Sequence, residues 1–331
     1  MMISVSAFSL VAAPLISFVV TFVFILWFIK YSAIKILDHP NYRSLHTKSI
    51  HRVGGFGLML GVLAAWGLLP VVLPLSVWVG VCLLVLISFA DDIFGLSVWF
   101  RLLIHCVAAV FLAAVLLFDT HGWLITAIAA ISIIWMTNLY NFMDGSDGLA
   151  GGMTLIGFSF YGLAALLGEN EMFAMINFSI ASAAMAFLFF NFYPARVFMG
   201  DAGAIPLGFL AAVLGLLGWV DSLWPVWLPL LVFSPFIVDA SVTLAKRSLR
   251  GEKIWQAHRD HYYQCLVKNG FGHRNTALLE YILMLAVGAS AVWAVQQEAM
   301  AQFGVGVVWS VVYLILIVVS GQYWRSDRSG R

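Results

Sequence analysis

Charge is scarce in this chain. Only 10% of its 331 residues are Asp, Glu, Lys or Arg, and 63% are hydrophobic, whereas soluble domains carry about 25% charged residues. So few polar side chains cannot cover a globule in water, so lipid must be the solvent of much of the surface. A net charge of +1 gives no broad basic field, and no nucleic-acid partner is expected. Cysteine is nearly absent. Cys82 and Cys106 lie in apolar runs and Cys265 in a basic loop, with no metal-ligand spacing and no disulfide framework. No basic region precedes the uncharged run 7–29, so it reads as a first membrane span and not as a cleavable signal. Low-complexity tracts, internal repeats and a soluble domain are also missing. One polytopic unit over 1–331 is expected.

About eleven apolar segments are present, near 7–29, 54–71, 75–90, 102–118, 123–139, 153–168, 172–192, 204–219, 225–245, 276–295 and 303–320. Pro70 and Pro74 divide the uncharged stretch 53–90 into a helical hairpin. With this count, all 17 Lys and Arg fall on one side, which the positive-inside rule makes cytoplasmic. The other side carries only acids: Asp119, Glu169, Glu171, Asp221 and Glu298. The expected fold is an all-α integral membrane bundle with a periplasmic N-terminus and a cytoplasmic C-terminus.

Polar residues gather on that cytoplasmic side in three motifs and a basic loop. Asp91-Asp92 ends the third segment; alone it suits a solvated helix end as well as a metal or phosphate site. Between the fifth and sixth segments, Asn138, Asn141, Asp144 and Asp147 recur at three-residue steps, which on a helix would share one face. Gly145, Gly148, Gly151 and Gly152 let backbone approach a ligand. The EF-hand spacing is absent. A third motif runs from Asn191 through Arg196 to Val197-Phe198-Met199-Gly200-Asp201. The basic loop holds His258-Arg259-Asp260-His261 and Gly272-His273-Arg274; it reads as a lipid-facing amphipathic helix or as cationic donors for phosphate. His105, Asp239 and Glu280 are ionisable groups within or at the ends of apolar segments, and Asp239 is placed to orient cations such as Lys246. Oxygen-only acidic sites suit Mg²⁺, with Mn²⁺ as a substitute, and nearby cations suit a diphosphate. The combination points to phosphoryl transfer between a nucleotide-linked donor and a lipid phosphate.

These motifs, in this order and spacing, resemble the polyprenyl-phosphate N-acetylhexosamine-1-phosphate transferases, a family that includes the phospho-muramoyl-pentapeptide translocase. The resemblance covers about 30–274. It implies transfer of N-acetylhexosamine-1-phosphate from a UDP-N-acetylhexosamine to undecaprenyl phosphate in the bacterial cytoplasmic (inner) membrane, releasing UMP and initiating a cell-surface polysaccharide. It makes Asp201 the Mg²⁺ ligand and Asp91, Asp92, Asp144, His258 and His261 catalytic. Lys48, Asn138, Asn141, Gly145, Asp147, Asn191, Phe198 and Arg259 become the substrate-binding set. The oligomeric state stays open, a homodimer included. Many members of the family read His-x-His-His, whereas Asp260 holds the third position here. That variant is similar to the O-antigen (lipopolysaccharide) branch and counts against the peptidoglycan translocase. Two competing readings are an intramembrane Mg²⁺-dependent prenyltransferase and a polytopic transporter or lipid flippase. The first would favour Asp-x-x-x-Asp clusters on helices; the second would favour charges at the bilayer midplane.

Overall fold

The computed structural model describes residues 7–32, 36–38, 49–69, 73–253 and 258–329, with side chains from Val11 to Ser320. Lys48 and Pro70 lie outside the described residues. Among the described residues, twelve α-helices, one two-stranded sheet and a π-helical turn follow one another: α1 (Ala7–Tyr31), β1 (Leu37–Asp38), β2 (Ile50–His51), α2 (Gly54–Trp66), α3 (Leu75–Phe94), α4 (Val98–Phe142), α5 (Leu149–Leu167), α6 (Glu171–Asn191), α7 (Asp201–Val220), α8 (Trp227–Val232), α9 (Ser234–Leu249), α10 (Tyr262–Leu266), the π-turn Val267–Phe271, α11 (Gly272–Val295) and α12 (Ala299–Ser329). Eight helices among the described residues are long and apolar enough to cross a bilayer. The protein is therefore an all-α polytopic membrane protein.

Helix ends follow local chemistry. Ser97 caps α4 by accepting the Phe100 N–H at 3.2 Å, and Asn170 caps α6 by accepting that of Phe173 at 2.9 Å. Pro235 sits at the start of α9. It has no N–H to donate, and the chain breaks at Phe233 between α8 and α9. The segment expected over 225–245 is thus a broken helix. The segment expected over 54–71 is shorter in the structure: α2 has 13 residues, about 20 Å of helix, which falls short of a straight span.

Helix α4 has 45 residues and a non-helical Gly122 at φ 73°, ψ 175°. His105 Nδ1 and Asn138 Oδ1 lie 3.4 Å apart although 33 residues separate them. A straight helix would hold them about 50 Å apart. The helix therefore folds back at Gly122 into two antiparallel limbs, at the boundary expected between 102–118 and 123–139. The fold-back returns Asp144 to the end of the bundle where Arg101 begins.

Helix α7 is the most buried of the eight long apolar helices, and α12 the least. It packs on α2, α3, α4 and α5. Without a hydrophobic drive between helices in lipid, close backbone approach carries the packing. Gly55 of α2 faces Gly203 of α7 so closely that a Cβ on either would strike the other's backbone. The small sheet then ties the first loop to the third motif. Phe198 N–H donates to His51 O at 2.7 Å, and Gly54 N–H donates to Phe198 O at 3.0 Å. That register sets Arg52 beside the first residue of α7.

Candidate active site

Asp91 and Asp92 stand in the last turn of α3 and Asp201 opens α7. Asp92 acts as a cap supplied by another helix. Its Oδ1 accepts the Asp201 N–H at 3.2 Å and its Oδ2 accepts the Ala202 N–H at 3.0 Å. Those amides have no partner within their own helix, and the positive end of the helix dipole favours the carboxylate. Two guanidinium groups then join the motifs. Arg101 Nη1 donates to Asp201 Oδ2 at 2.6 Å and also to Asp91 Oδ2. Arg52 Nη2 lies 3.4 Å from both Asp92 Oδ1 and Asp201 Oδ1, and its Nη1 lies 3.9 Å from Asp38. Burial works against the Arg52 cation, but Asp92, Asp201, Asp38 and Asp144 outweigh it and raise its pKa. Burial pushes the Asp144 carboxyl well above the usual range; Arg52 opposes that shift, and Asp201 and Asp92 add to it. Asp91, Asp92, Asp144 and Asp201 thus share one site with Arg52 and Arg101.

The second motif departs from the expected single helix face. Helix α4 ends at Phe142, so only Asn138 and Asn141 are helical. Asp144 and Asp147 lie in the turn before α5, which Gly148 closes at φ 77°. Asn138 pairs with His105, and Asn141 O accepts the Asp144 N–H at 3.2 Å. Asp147 Oδ2 accepts the Ala195 N–H at 3.0 Å. Asn191 Oδ1 accepts the Gly148 N–H at 2.9 Å, and its Nδ2 donates to Val197 O at 3.0 Å. Asn191 therefore staples the second motif to the third. His273 Nδ1 lies 2.9 Å from Ser146 Oγ and 3.8 Å from Asp147 Oδ1.

The basic loop is held by α9. His258 precedes α10 in irregular chain and His261 is its N-cap, so the two are not on one helix; their rings still lie 4.9 Å apart. Asp239 Oδ1 lies 3.2 Å from His261 Nδ1 and accepts the Tyr262 N–H at 2.9 Å. Arg247 pairs with Asp260. Burial, with help from His261 and Arg247, lowers His258 to a pKa of about 4. It is neutral near pH 7, not the cationic donor that the basic loop suggested. Arg259 O accepts Lys268 Nζ at 2.7 Å.

Arg52, Arg101 and His273 are site residues that sequence reasoning did not assign. Arg52 and Arg101 read there only as topology signals. The donors offered by the acidic cluster are oxygens alone, and its four carboxylates exceed its two guanidinium groups. That excess fits a divalent hard cation. No group of three His, Cys, Asp or Glu among the described residues stands at ligand spacing, but Mg²⁺ needs only one or two carboxylates beside phosphates and waters.

The chain is similar to known proteins over most of its length. Residues 74–218 match glycosyl transferase family 4. A probable undecaprenyl-phosphate N-acetylglucosaminyl 1-phosphate transferase of Bacillus subtilis (strain 168) is 29% identical over 310 residues, 88% of this chain and 84% of its own. An undecaprenyl-phosphate alpha-N-acetylglucosaminyl 1-phosphate transferase of Salmonella typhi is 27% identical over 78% of each chain. A phospho-N-acetylmuramoyl-pentapeptide-transferase of Moorella thermoacetica is 42% identical over 108 residues, 32% of this chain and 33% of its own. The matched stretch contains Asp91, Asp92, Asp144 and Asp201, so the part of the chain that is similar to glycosyl transferase family 4 includes the whole acidic cluster.

Proposed function

We propose that the protein transfers N-acetylhexosamine-1-phosphate from a UDP-N-acetylhexosamine to undecaprenyl phosphate, releasing UMP and initiating a bacterial surface polysaccharide. The observation that carries this reading is the junction of Asp91, Asp92 and Asp201 with Arg101 and Arg52 at one end of an apolar bundle. The names of the relatives support the acceptor and the transferred group. The variant His258-Arg259-Asp260-His261 supports the O-antigen branch. The eleven-span topology belongs to the same reading. The fold-back of α4 counts as two spans, and the short α2 and the broken α8–α9 pair as one each. That count leaves the acidic motifs and every cation in the cytoplasm of a bacterium, on its inner membrane.

In this reaction an oxygen of the lipid phosphate attacks the β-phosphorus of the donor. The bond from that phosphorus to the α–β bridging oxygen breaks, and UMP leaves with its electron pair. A phosphate monoester has a second pKa of about 6, so the attacking oxygen needs no general base near pH 7. Arg101 and Arg52 orient phosphate oxygens and offset developing charge. Asp147, Gly145, Asn191 and Phe198 line the nucleotide side, with Asn138 and Asn141 beside them. His261 and Arg259 belong to the wall on the α9 side, with His258 as a neutral donor or acceptor. Asp201, with Asp92 or Asp144, would hold Mg²⁺, which when bound neutralises the diphosphate.

The test mixes purified protein, Mg²⁺ and undecaprenyl phosphate with a panel of UDP-sugars and measures UMP. Release with at least one sugar is expected, and chelation should stop it reversibly. Asp201→Ala should lower it by more than about 100-fold, the scale of losing a preorganised charge partner. Silence with every sugar would sink the reading.

A further inference from the structure

The basic loop is joined to the second motif by a side chain that no motif assigns. Tyr263 is fully buried. Its hydroxyl donates to Phe142 O at 3.0 Å and lies against the Gly145 backbone. The hydroxyl also fills the space that a Cβ on Gly145 would need. At its other end, the Tyr263 N–H donates to Asp239 Oδ2 at 3.0 Å. Asp239 is itself held within α9, where Thr243 Oγ1 donates to it at 3.2 Å. An unbroken strut therefore runs from a membrane helix, through one buried carboxylate and one phenol, to the turn between α4 and α5. Gly145 stays exposed on its far side.

We infer that Tyr263 is a positioning residue for the nucleotide end of the donor: it bridges Phe142 and Gly145 and so fixes the backbone that meets the ligand. The inference rests on the reading that Gly145 lines the donor pocket. It gives position 145 a second reason to be glycine, because ligand and tyrosine press on it from opposite sides. A buried hydrogen bond between two fixed elements does this better than packing alone, since it defines direction as well as distance.

The experiment uses the full chain in detergent with UDP-N-acetylglucosamine and undecaprenyl phosphate as probes, or another UDP-sugar if the panel selects one. Tyr263→Phe keeps the ring and removes only the hydroxyl. It should raise the donor KM roughly 3- to 10-fold, the scale of one hydrogen bond, and leave the acceptor KM within about twofold. Gly145→Ala should weaken the donor further and lower the thermal midpoint. Adding Tyr263→Phe to Gly145→Ala should restore part of both losses, because the nearest remaining ring atom, Cζ, lies 3.3 Å from the new Cβ. An unchanged donor KM in Tyr263→Phe would overturn the inference. So would two KM values that move together, or a double variant no better than Gly145→Ala. A wild-type protein that releases no UMP would instead overturn the transferase reading. The rescue of the thermal midpoint still judges the strut in that case.

Discussion

Asp91 illustrates how much a side chain's commitments limit its chemistry. Its Oδ1 accepts the Leu96 N–H at 2.6 Å and its Oδ2 holds Arg101. A carboxylate so engaged has both oxygens committed to organising its neighbours. Asp91→Asn should therefore keep UMP release within about tenfold of wild type, a loss on the scale of one charge-assisted hydrogen bond; a loss of several thousandfold would instead assign Asp91 a direct part in the chemistry. Arg101→Gln is the harsher change, because it strands Asp91 and Asp201 together. The guanidinium is partly exposed, so the cost should fall below the roughly 3–5 kcal/mol of a fully buried pair, near 2 kcal/mol. Thermal unfolding in detergent would show it. His258 gives a pH signature. Its folded pKa of about 4 lies below the unfolded value of about 6.5. The unfolded chain then binds the extra proton between those values, and stability falls as pH drops through that window. His258→Gln should flatten the fall of the unfolding midpoint between about pH 6.5 and 4. The acids of this site were legible as residues. Their partners were not, because Arg52 meets Asp201 across 149 positions and Arg101 meets it across 100. Nothing in a single sequence marks such pairs.

At the scale of elements, apolar runs placed the break between 118 and 123 and missed the one at Phe233 between α8 and α9. Gly122 carries the break that the runs placed. Its φ and ψ fall in a region that essentially only glycine occupies, and nothing lies within 4 Å of where a Cβ would sit. Gly122→Ala thus meets no neighbour and carries only backbone strain, about 1–3 kcal/mol. A lower thermal midpoint should follow, and an unchanged one would mean the fold-back does not need this conformation. Helix periodicity likewise suggested one face for Asn138 to Asp147. Met143 and the glycines end the helix first, and the turn chemistry that does so is local and readable. That Asn191 staples the turn is a tertiary fact and was not.

For the whole molecule, the segregation of charge stands as a prediction about sidedness. Single cysteines placed near Glu169, Asp221 and Glu298 should react with a membrane-impermeant thiol reagent from outside the cell, and cysteines near Arg196 and Arg250 should not. Labelling of both groups from one side would break the eleven-span scheme. The same architecture carries a lesson about parts. The stretch shared with glycosyl transferase family 4 ends at 218 and begins at 74, yet Arg52 precedes it and Asp239, Tyr263 and His273 follow it. Cut out alone, that stretch would keep every acid of the cluster and lose one of its two guanidinium groups, along with the Asp239–Tyr263 strut and His273 behind the turn before α5. The candidate site is therefore not a cassette that could be moved between bundles. It is a property of the chain's full circuit, and a grafted or truncated version would have to rebuild the contributions from both ends.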